Sequence, residues 1–252
     1  MKLNKKKILL LVQLPEPTNG VSVINQSIMK SELIKKNYHL DFVDISTSKN
    51  INEIDGFTFK KILFFFKSYF FSFIKLILFK PDAVYFSVSL FGLGFLKDSF
   101  YIILCKFFHC KIICHIHRSG LYKKINHRTI IKFYYKLVFK NIDIIHLSES
   151  LRKDIKPFLN NNSKIVIVNN GISKHEIKIK KKKNFISFVF LANLTESKGI
   201  KELLDSIVHL NKKKNLIKFN LNIIGDYTNT FSREDKKSFL KLNHIYNNVK
   251  FF

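Results

Sequence analysis

The chain has 252 residues, of which 46% are hydrophobic, and this length and composition allow a sizeable core and exclude a chain that is disordered throughout. Its 44 lysines and arginines outnumber 18 acidic residues, and the formal net charge of +26 favours nucleic acid, anionic lipid or phosphorylated substrates as partners. Most of these cations are lysines that accompany abundant Asn, Ile and Phe, a mixture that an A+T-rich coding sequence also produces, so charge alone identifies no partner.

The amino terminus and the cysteines indicate the compartment. The basic start MKLNKKK runs into an apolar stretch that Gln13, Pro15 and Glu16 interrupt before any cleavage site. Three cysteines, an odd number, are crowded between Cys105 and Cys114. Without a cleavable secretory signal, we expect a chain that works in the reducing cytoplasm.

Short apolar runs alternate with helical patterns along the chain, which is typical of βαβ units with a parallel sheet. The first strand pattern is KILLLVQL, at residues 7–14. Five more strands are predicted before residue 172, at 38–43, 82–87, 110–116, 142–147 and 164–168. Together they predict a complete, doubly wound, Rossmann-like α/β domain over residues 1–172.

The segment 62–79, ILFFFKSYFFSFIKLILF, is nearly long enough to span a bilayer, but Lys67 and Lys75 inside it argue against spanning. On a helical wheel Ser68 and Ser72 align with Lys75 and leave a broad apolar face. That face comprises Phe64, Phe65, Phe71, Ile74 and Leu78. Two interpretations stay open: a core helix packed on the sheet, or an interfacial helix lying on anionic lipid.

The loop after the first strand, LPEPTNGVSVINQSI at 14–28, is a candidate anion site. Its prolines stop the strand, and Gly20 can adopt a positive φ. Such a loop lies at the carboxyl end of a strand and leads into a helix N-terminus, both of which favour an anionic ligand. An ordinary loop with Asn19 as the helix cap is the alternative. No GxGxxG pattern occurs here, so dinucleotide binding is not supported.

The segment 105–117 is rich in Cys and His, which are common metal ligands, but the spacing of these residues is not that of a metal site. On the strand KIICHIH, His115 and His117 share one face and Cys114 points to the other, without a standard CxxC or HxxxH pair. We therefore expect no metal and read the cysteines as small buried hydrophobes. His117 ends its strand before a polar loop, where it is a candidate to position or polarise a substrate hydroxyl.

A charged linker and a second α/β series follow the sixth strand. At VNNGI, Gly171 permits a sharp turn, and Asn170 offers an amide to a polar ligand, although a plain turn is the alternative. Residues 173–184 are basic and lack apolar periodicity, which predicts a linker. The second series is strand 185–191, helix 199–212, strand 219–224, helix 233–244 and strand 249–252. Three parallel strands are few for an independent domain, so we expect residues 185–252 to be an incomplete second Rossmann-like domain.

The order of these motifs is more specific than any one of them. A Pro/Gly loop, a strand-end His, LSES, NNGI, a linker, FLANLTESKGIKELLDSI and LNIIGD follow one another. This order resembles the family-four (group one) glycosyltransferases of the GT-B fold, over residues 7 to 252 and most strongly at 164–172 and 188–226. The resemblance implies an acceptor-side first domain, a nucleotide-sugar-binding second domain, and transfer with retention of configuration, with no cofactor and no bound metal.

The resemblance also assigns roles in the first domain. The Gly20 loop corresponds to the loop near the donor phosphates, and His117 to the histidine beside the reacting sugar. Asn170 and Gly171 correspond to the junction motif that lines the family's cleft.

In the second domain, Lys198 corresponds to the lysine that pairs with the donor diphosphate, and Gly199 allows the backbone to approach it. Gly225 falls in the motif near the nucleotide. Asn193 stands where the family commonly has an arginine, so it brings a hydrogen bond without charge, which Arg118 or another cation would supply. The family's E-x7-E carboxylate pair belongs beyond residue 252 and is absent. We therefore expect a truncated donor domain and little or no transfer by this chain.

The implied partners are a UDP- or GDP-sugar donor and a glycan or polyprenol-linked glycan acceptor of capsule or lipopolysaccharide assembly. A lipid-linked acceptor would explain the Phe-rich helix and a peripheral position on the anionic inner face of the cell membrane. The alternative is a non-catalytic remnant that binds an acceptor or a partner chain. No helix-turn-helix, zinc-finger or aromatic RNP pattern appears, so no specific nucleic acid is expected.

Overall fold

The computed structural model describes residues 5–16, 18–47, 58–171, 186–212, 219–228, 230–243 and 249–252. The chain divides into two compact units, residues 1–173 and 174–252, and each has its own parallel sheet. The predicted linker at 173–184 lies outside the described residues.

The first unit contains a six-stranded parallel sheet. Its strands are β1 (Lys7–Val12), β2 (His39–Asp44), β3 (Ala83–Val88), β4 (Lys111–Ile116), β5 (Asp143–His146) and β6 (Ile165–Ile167). They are ordered β2-β1-β3-β4-β5-β6. All six predicted strands are confirmed, and their bounds shift by at most two residues. The strand order reverses between β1 and β3, and open α/β sheets bind ligands outside the carboxyl ends of strands at such a point.

Helices cover both faces of this sheet, because residues along each buried strand alternate between two cores. The helices are α1 (Gly20–Lys30), α2 (Glu32–Asn37), α3 (Phe59–Phe79), α4 (Gly92–Phe107), α5 (Leu121–Ile125), α6 (Thr129–Phe139) and α7 (Arg152–Ile155). On β1, Leu10 and Val12 pack with Ile28 and Met29 of α1. Leu9 belongs to the larger core on the other face. The arrangement is doubly wound, as the strand pattern predicts.

The cysteines lie where small hydrophobes are expected. Cys105 and Cys114 are buried in the larger core, Cys110 is half-buried, and all three are free thiols. Burial raises the pKa of each thiol above its ordinary value. They are therefore poor nucleophiles, and their role is packing.

The helix α3 contacts the sheet with its polar stripe. Ser68, Ser72 and Leu76 are its buried residues, and Ser68 Oγ lies 2.6 Å from Tyr101 Oη of α4. Many of its large side chains nevertheless face outward, and the exposed ones are Phe59, Leu63, Phe66, Phe70, Phe71, Phe73, Ile77 and Leu78. Among the described residues it is the one helix that length and composition would allow to cross a bilayer. Of the two interpretations of its sequence, packing against the core holds for Ser68, Ser72 and Leu76, and in part for three further large side chains, Phe65, Tyr69 and Phe79.

The second unit is a smaller βαβαβ series. Its elements are β7 (Ile186–Leu191), α8 (Ile200–Lys212), β8 (Phe219–Ile224), α9 (Arg233–Asn243) and β9 (Val249–Phe251), with the strands parallel in the order β7-β8-β9. Ile200, Leu204 and Ile207 of α8 pack on Leu221 and Ile223 of β8. The predicted strands and helices of this unit are confirmed within one residue.

Candidate functional site

The first candidate site residue, Gly20, opens α1 at the carboxyl end of β1. Asn19 caps the helix: its Oδ1 accepts hydrogen bonds of 3.0 Å from the N–H groups of Val21 and Ser22. The Asn19 N–H donates to Ser22 Oγ at 3.0 Å, which completes a capping box. The Asn19 cap of the ordinary-loop alternative is present, and Gly20 does not use the positive φ that a glycine allows. The capping box lets the chain enter α1 without a left-handed residue.

Three histidines gather at the carboxyl ends of β4 and β5. His117 directly follows β4, and its ring centroid lies 4.0 Å from that of His115. His115 Nδ1 lies 2.7 Å from Tyr85 Oη, and His146 Nδ1 accepts a hydrogen bond of 2.9 Å from the N–H of Leu147. The Nε2 atoms of all three histidines are buried and have no hydrogen-bond partner among the described residues.

This environment keeps the three histidines neutral. Burial, with smaller contributions from His117 and His146, lowers the pKa of His115 to about 3. Burial also lowers the pKa of His117, helped by His146, and that of His146, against the opposing influence of Asp154. Neutral imidazoles are hydrogen-bonding groups for hydroxyls and not charge partners for phosphates. No group of three or more His, Cys, Asp or Glu in the described part of the chain is arranged to hold a metal ion.

Acid should destabilise the first unit through these histidines. Below pH 6.5, roughly the pKa of an unfolded histidine, these histidines are protonated in the unfolded chain but stay neutral in the folded chain. For His115 this difference persists down to a pH of about 3. The free energy of unfolding is therefore unaffected by these histidines above about pH 6.5. At lower pH it decreases, by up to about 1.4 kcal/mol per pH unit for each extra proton bound on unfolding. Urea unfolding at about pH 7.5 and about pH 5.5 measures this difference. His115→Gln should reduce this difference between the two pH values, whereas substitution of the exposed His127 by Gln should leave it unchanged. Equal effects of the two variants would contradict the explanation.

The remaining first-unit candidates follow β6. Asn169 Nδ2 donates to the carbonyl of Leu147 at 2.9 Å and so ties this segment to the end of β5 beside His146. Asn170 and Gly171 are exposed, and Gly171 has open space around its Cα. Two strand spacings of about 4.8 Å separate β4 from β1 on one side and from β6 on the other. His117, Gly20 and the Asn170 segment therefore lie at one edge of the sheet, with Gly20 and Asn170 each following a strand that is two places away from β4.

The second-unit candidates surround the start of α8. Glu196–Lys198 form a short 3-10 turn, and Gly199, at φ +78°, provides the left-handed residue from which α8 begins. Lys198 is exposed and forms no ion pair with any residue that the structure describes, whereas the nearby Lys201 pairs with Glu196. A free cation next to a helix N-terminus favours an anion such as a phosphate.

Gly225 holds two loops of the second unit together. A Cβ at this position would lie 1.9 Å from the carbonyl oxygen of Ala192 and 2.6 Å from its carbon. The two segments are also joined by hydrogen bonds from the N–H of Ala192 to Ile224 and from the N–H of Leu194 to Asp226, of 3.2 and 2.9 Å. Gly225 thus fixes the loop that carries the half-buried Asn193, a role that the sequence motif alone does not reveal.

No protein-family model and no curated protein matches the sequence. Solved structures do match. The Anabaena protein Alr3699/HepE in complex with UDP has a TM-score of 0.57 and 14% identity over 98% of this chain and 68% of its own. Its complex with UDP-glucose has a TM-score of 0.56 and 13% identity over the same shares.

A UDP-glucosyltransferase from Polygonum tinctorium, capable of glucosylating indoxyl, has a TM-score of 0.51 and 9% identity over 100% of this chain and 71% of its own. At such identities the likeness is one of fold. The chain therefore has the Rossmann-like α/β fold of the GT-B glycosyltransferases.

Proposed function

We propose that the protein is a retaining glycosyltransferase that moves a hexosyl group from a UDP- or GDP-sugar to a glycan or polyprenol-linked glycan acceptor, in capsule or lipopolysaccharide assembly. The observation that carries the proposal is the start of α8, where the exposed Lys198 has no ionic partner in the described part of the chain and precedes the left-handed Gly199. Support also comes from the motif order in the sequence and from a fold neighbour in complex with UDP and with UDP-glucose.

The chemistry of such a transfer suits these groups. Negative charge grows on the nucleotide diphosphate as the glycosidic bond breaks, and a lysine with a helix N-terminus stabilises that charge more in the transition state than in the ground state. Gly199 lacks a side chain, so a phosphate oxygen can approach the backbone closely. In the first unit, we assign the neutral His117 to a hydrogen bond with a sugar hydroxyl.

Donor binding is the informative first test. We propose that the 252 residues bind the nucleotide-sugar donor. Isothermal titration with UDP, and then with UDP- and GDP-sugars, should show saturable binding with a preference for one base. Absence of both UDP and GDP binding at millimolar concentrations would remove the proposal. No observation favours the non-catalytic alternative.

We further propose that the protein works in the cytoplasm, peripherally bound to the inner face of the cell membrane, where a polyprenol-linked acceptor would lie. The helices α3, α4 and α6 cover the same face of the first sheet, with ring contacts such as that of Phe65 and Phe100 at 5.9 Å. Their outer surface is apolar and includes the exposed residues of α3 named above. The exposed apolar residues on α4 and α6 are Leu93, Leu96, Phe100, Ile103, Phe107, Ile130, Ile131, Phe133 and Leu137. Soluble monomers rarely expose so large an apolar area.

The charge of this surface favours an anionic lipid. Neither α3 nor α6 contains an acidic residue, and the single acid of α4, Asp98, is fully buried against Lys97 and the N–H of Ser89. The exposed charges on this face are therefore cationic, with Lys67 and Lys136 as examples. Apolar rings surrounded by lysines suit insertion at the boundary between headgroups and acyl chains.

Flotation with phosphatidylglycerol-containing vesicles tests this surface. The protein should float with them at low salt, and the double variant Phe66→Glu/Phe70→Glu should lose most of that binding. Each phenylalanine contributes about 1.5–3 kcal/mol when its side chain leaves water, so the vesicle-bound fraction should fall by about tenfold or more. The control is Leu33→Glu, which places the same charge at an exposed leucine on α2, outside this surface. Flotation of the double variant at the level of this control would argue against membrane binding through α3.

A further inference from the structure

A carboxylate on α7 holds the loop that follows His117. Asp154 Oδ2 accepts hydrogen bonds from the N–H groups of Gly120 and Leu121, at 2.8 and 3.0 Å. Its Oδ1 accepts a third from the N–H of Tyr122 at 2.7 Å. Gly120 has a left-handed backbone, at φ +94°, and a left-handed residue beside right-handed ones turns successive N–H groups to the same side. One carboxylate thus receives three consecutive backbone donors.

This cap comes from a distant part of the chain. A helix is ordinarily capped by a residue next to its first turn, as Asn19 caps α1. The N-cap residue of α5 is Gly120, which has no side chain to offer, and Asp154 lies 32 to 34 residues beyond the groups that it binds. A local cap would satisfy the same N–H groups and leave the loop free to move. The distant carboxylate instead fixes the start of α5 relative to the segment after β5.

The loop between β4 and α5 is short, so this tie reaches His117. Only Arg118 and Ser119 separate His117 from Gly120, and both are exposed. Strand pairing holds one end of the loop and Asp154 holds the other, and two residues leave little slack between them. The three hydrogen bonds therefore restrict the backbone of His117 and the direction of its ring.

The same segment also holds the chain that follows β6. It begins with the LSES motif at 147–150, to which the proposed function gives no role. The carbonyl of Leu147 accepts the hydrogen bond of 2.9 Å from Asn169 Nδ2, beside the Asn170 candidate. The segment after β5 thus binds the His117 loop through Asp154 and the neighbouring loop through Leu147.

Core packing holds α5 and α7 independently of this carboxylate. Leu121 and Ile125 of α5 and Ile155 of α7 are buried in the larger core. Removal of the carboxylate should therefore leave both helices in place and release the loop after His117. Variants of Asp154 are thus expected to fold, and their effect can be measured at His117.

We propose that Asp154 is a positioning residue that holds the His117 ring in the orientation in which it binds a sugar hydroxyl. The inference rests on the proposed function, which assigns that hydrogen bond to His117. Asp154 does not touch the ligand and acts through the backbone of residues 118–122. Its effect should therefore appear only in ligands that carry the sugar, and only while the His117 ring is present.

Isothermal titration of the 252-residue protein tests this dependence, with UDP-glucose and GDP-mannose each compared with its free nucleotide. Asp154→Ala should weaken binding of the nucleotide-sugar by about fivefold, the effect of one hydrogen bond, and change binding of the nucleotide by less than about twofold. Asp154→Asn keeps one acceptor oxygen, so its effect should lie between those of wild type and Asp154→Ala. In a His117→Ala background, Asp154→Ala should have no further effect, because the hydrogen bond that it orients is already lost.

The ¹H–¹³C spectra of the imidazole rings give a second measurement, which needs no ligand. In the wild type, His117 should show one Cε1–H signal, shifted by the His115 ring whose centroid lies 4.0 Å away. In Asp154→Ala this signal should move towards that of an exposed histidine or split.

Asp143→Ala is the matched control for both measurements. Its carboxylate also accepts a backbone hydrogen bond, of 2.9 Å from the N–H of Lys164, and pairs with Lys111 at 3.1 Å. It lies at the amino end of β5, away from the His117 loop. It should leave both the His117 signal and the nucleotide-sugar affinity unchanged.

An unchanged His117 signal in Asp154→Ala overturns the proposal. Equal weakening of nucleotide and nucleotide-sugar does so as well, since it would show general damage to the protein, and so do additive effects of the Asp154 and His117 substitutions. Loss of sugar affinity in His117→Ala but not in Asp154→Ala leaves the proposed function standing without a positioning role for Asp154. If neither nucleotide binds, the proposed function fails, and the spectra still show whether Asp154 orients His117.

Discussion

Gly225→Ala is expected to prevent stable folding of the second unit. The new Cβ would lie 1.9 Å from the oxygen and 2.6 Å from the carbon of Ala192, and both are backbone atoms that no rotamer change can move. Separating the loops would break the hydrogen bonds from Ala192 to Ile224 and from Leu194 to Asp226. We expect a loss of about 3–5 kcal/mol, comparable to the whole stability of a small unit.

Hydrogen–deuterium exchange read by mass spectrometry locates this effect. In Gly225→Ala, the amides of β7 and β8 should exchange rapidly, whereas β1 and β3 of the first unit keep their protection and serve as the internal reference. Gly20→Ala is the matched glycine control, because a Cβ there meets nothing within 4 Å. It should leave protection in both units unchanged. Intact protection of β7 and β8 in Gly225→Ala would mean that the loops can separate at little cost.

Lys198→Ala should weaken UDP binding by about 10- to 100-fold. A hydrogen bond between an ammonium group and a phosphate is charge-assisted, and this range corresponds to the loss of one or two such bonds. Lys198 has no competing carboxylate among the described residues, so its charge is free for a ligand. Isothermal titration with UDP gives the affinity, and the difference between wild type and variant should shrink as salt is added.

Lys201→Ala is the matched control for this prediction. It removes a lysine from the same helix start, but one whose ammonium group pairs with Glu196. Its effect on UDP affinity should stay within about threefold, as for a nearby charge that does not touch the ligand. Equal losses in the two variants would indicate general attraction by the basic surface and not a diphosphate contact by Lys198.

The strands of both units were predictable because buried parallel strands are continuous apolar runs, and KILLLVQL is a clear example. The same runs, in alternation with helical patterns, predicted the doubly wound first unit. The cap at Asn19 was also predictable, since asparagine before a helix offers its side-chain oxygen to the first turn. The backbone conformation of Gly20 was not predictable. A glycine can adopt left-handed backbone, but the sequence does not show whether a particular glycine does so.

The environment of His117 depended on pairing between strands that the sequence does not specify. His115 was visible only as a residue on the same strand face. Tyr85 comes from the neighbouring strand β3, and its place on the same sheet face as His115 follows from register. His146 ends β5 opposite Ile116, so the register places its side chain on the other face of the sheet. The role of Gly225 has the same origin, since it requires the end of β8 to lie against the loop after β7.

The orientation of α3 was the largest departure from the usual amphipathic rule. The helical wheel found the stripe of Ser68 and Ser72, but a polar stripe ordinarily faces water. Here the small hydroxyls face the sheet because they allow close approach, and each satisfies itself on a backbone carbonyl one turn earlier, at 2.8 Å. Ser68 also has a partner on α4, Tyr101, and a single-helix pattern does not contain such a tertiary contact.

The burial of small serines and the exposure of large apolar side chains on α3 also determine which substitutions the helix can accept during evolution. In an ordinary surface helix the core positions stay large and apolar while the outer ones vary freely among polar residues. On α3 the buried positions 68 and 72 accept only small side chains, since a longer one would lift the helix from the sheet. The outward positions can exchange one large apolar residue for another. On a face that binds anionic lipid, they should not accept acidic residues. Related chains would therefore carry their invariant positions on α3 at its serines and their variable ones at its phenylalanines.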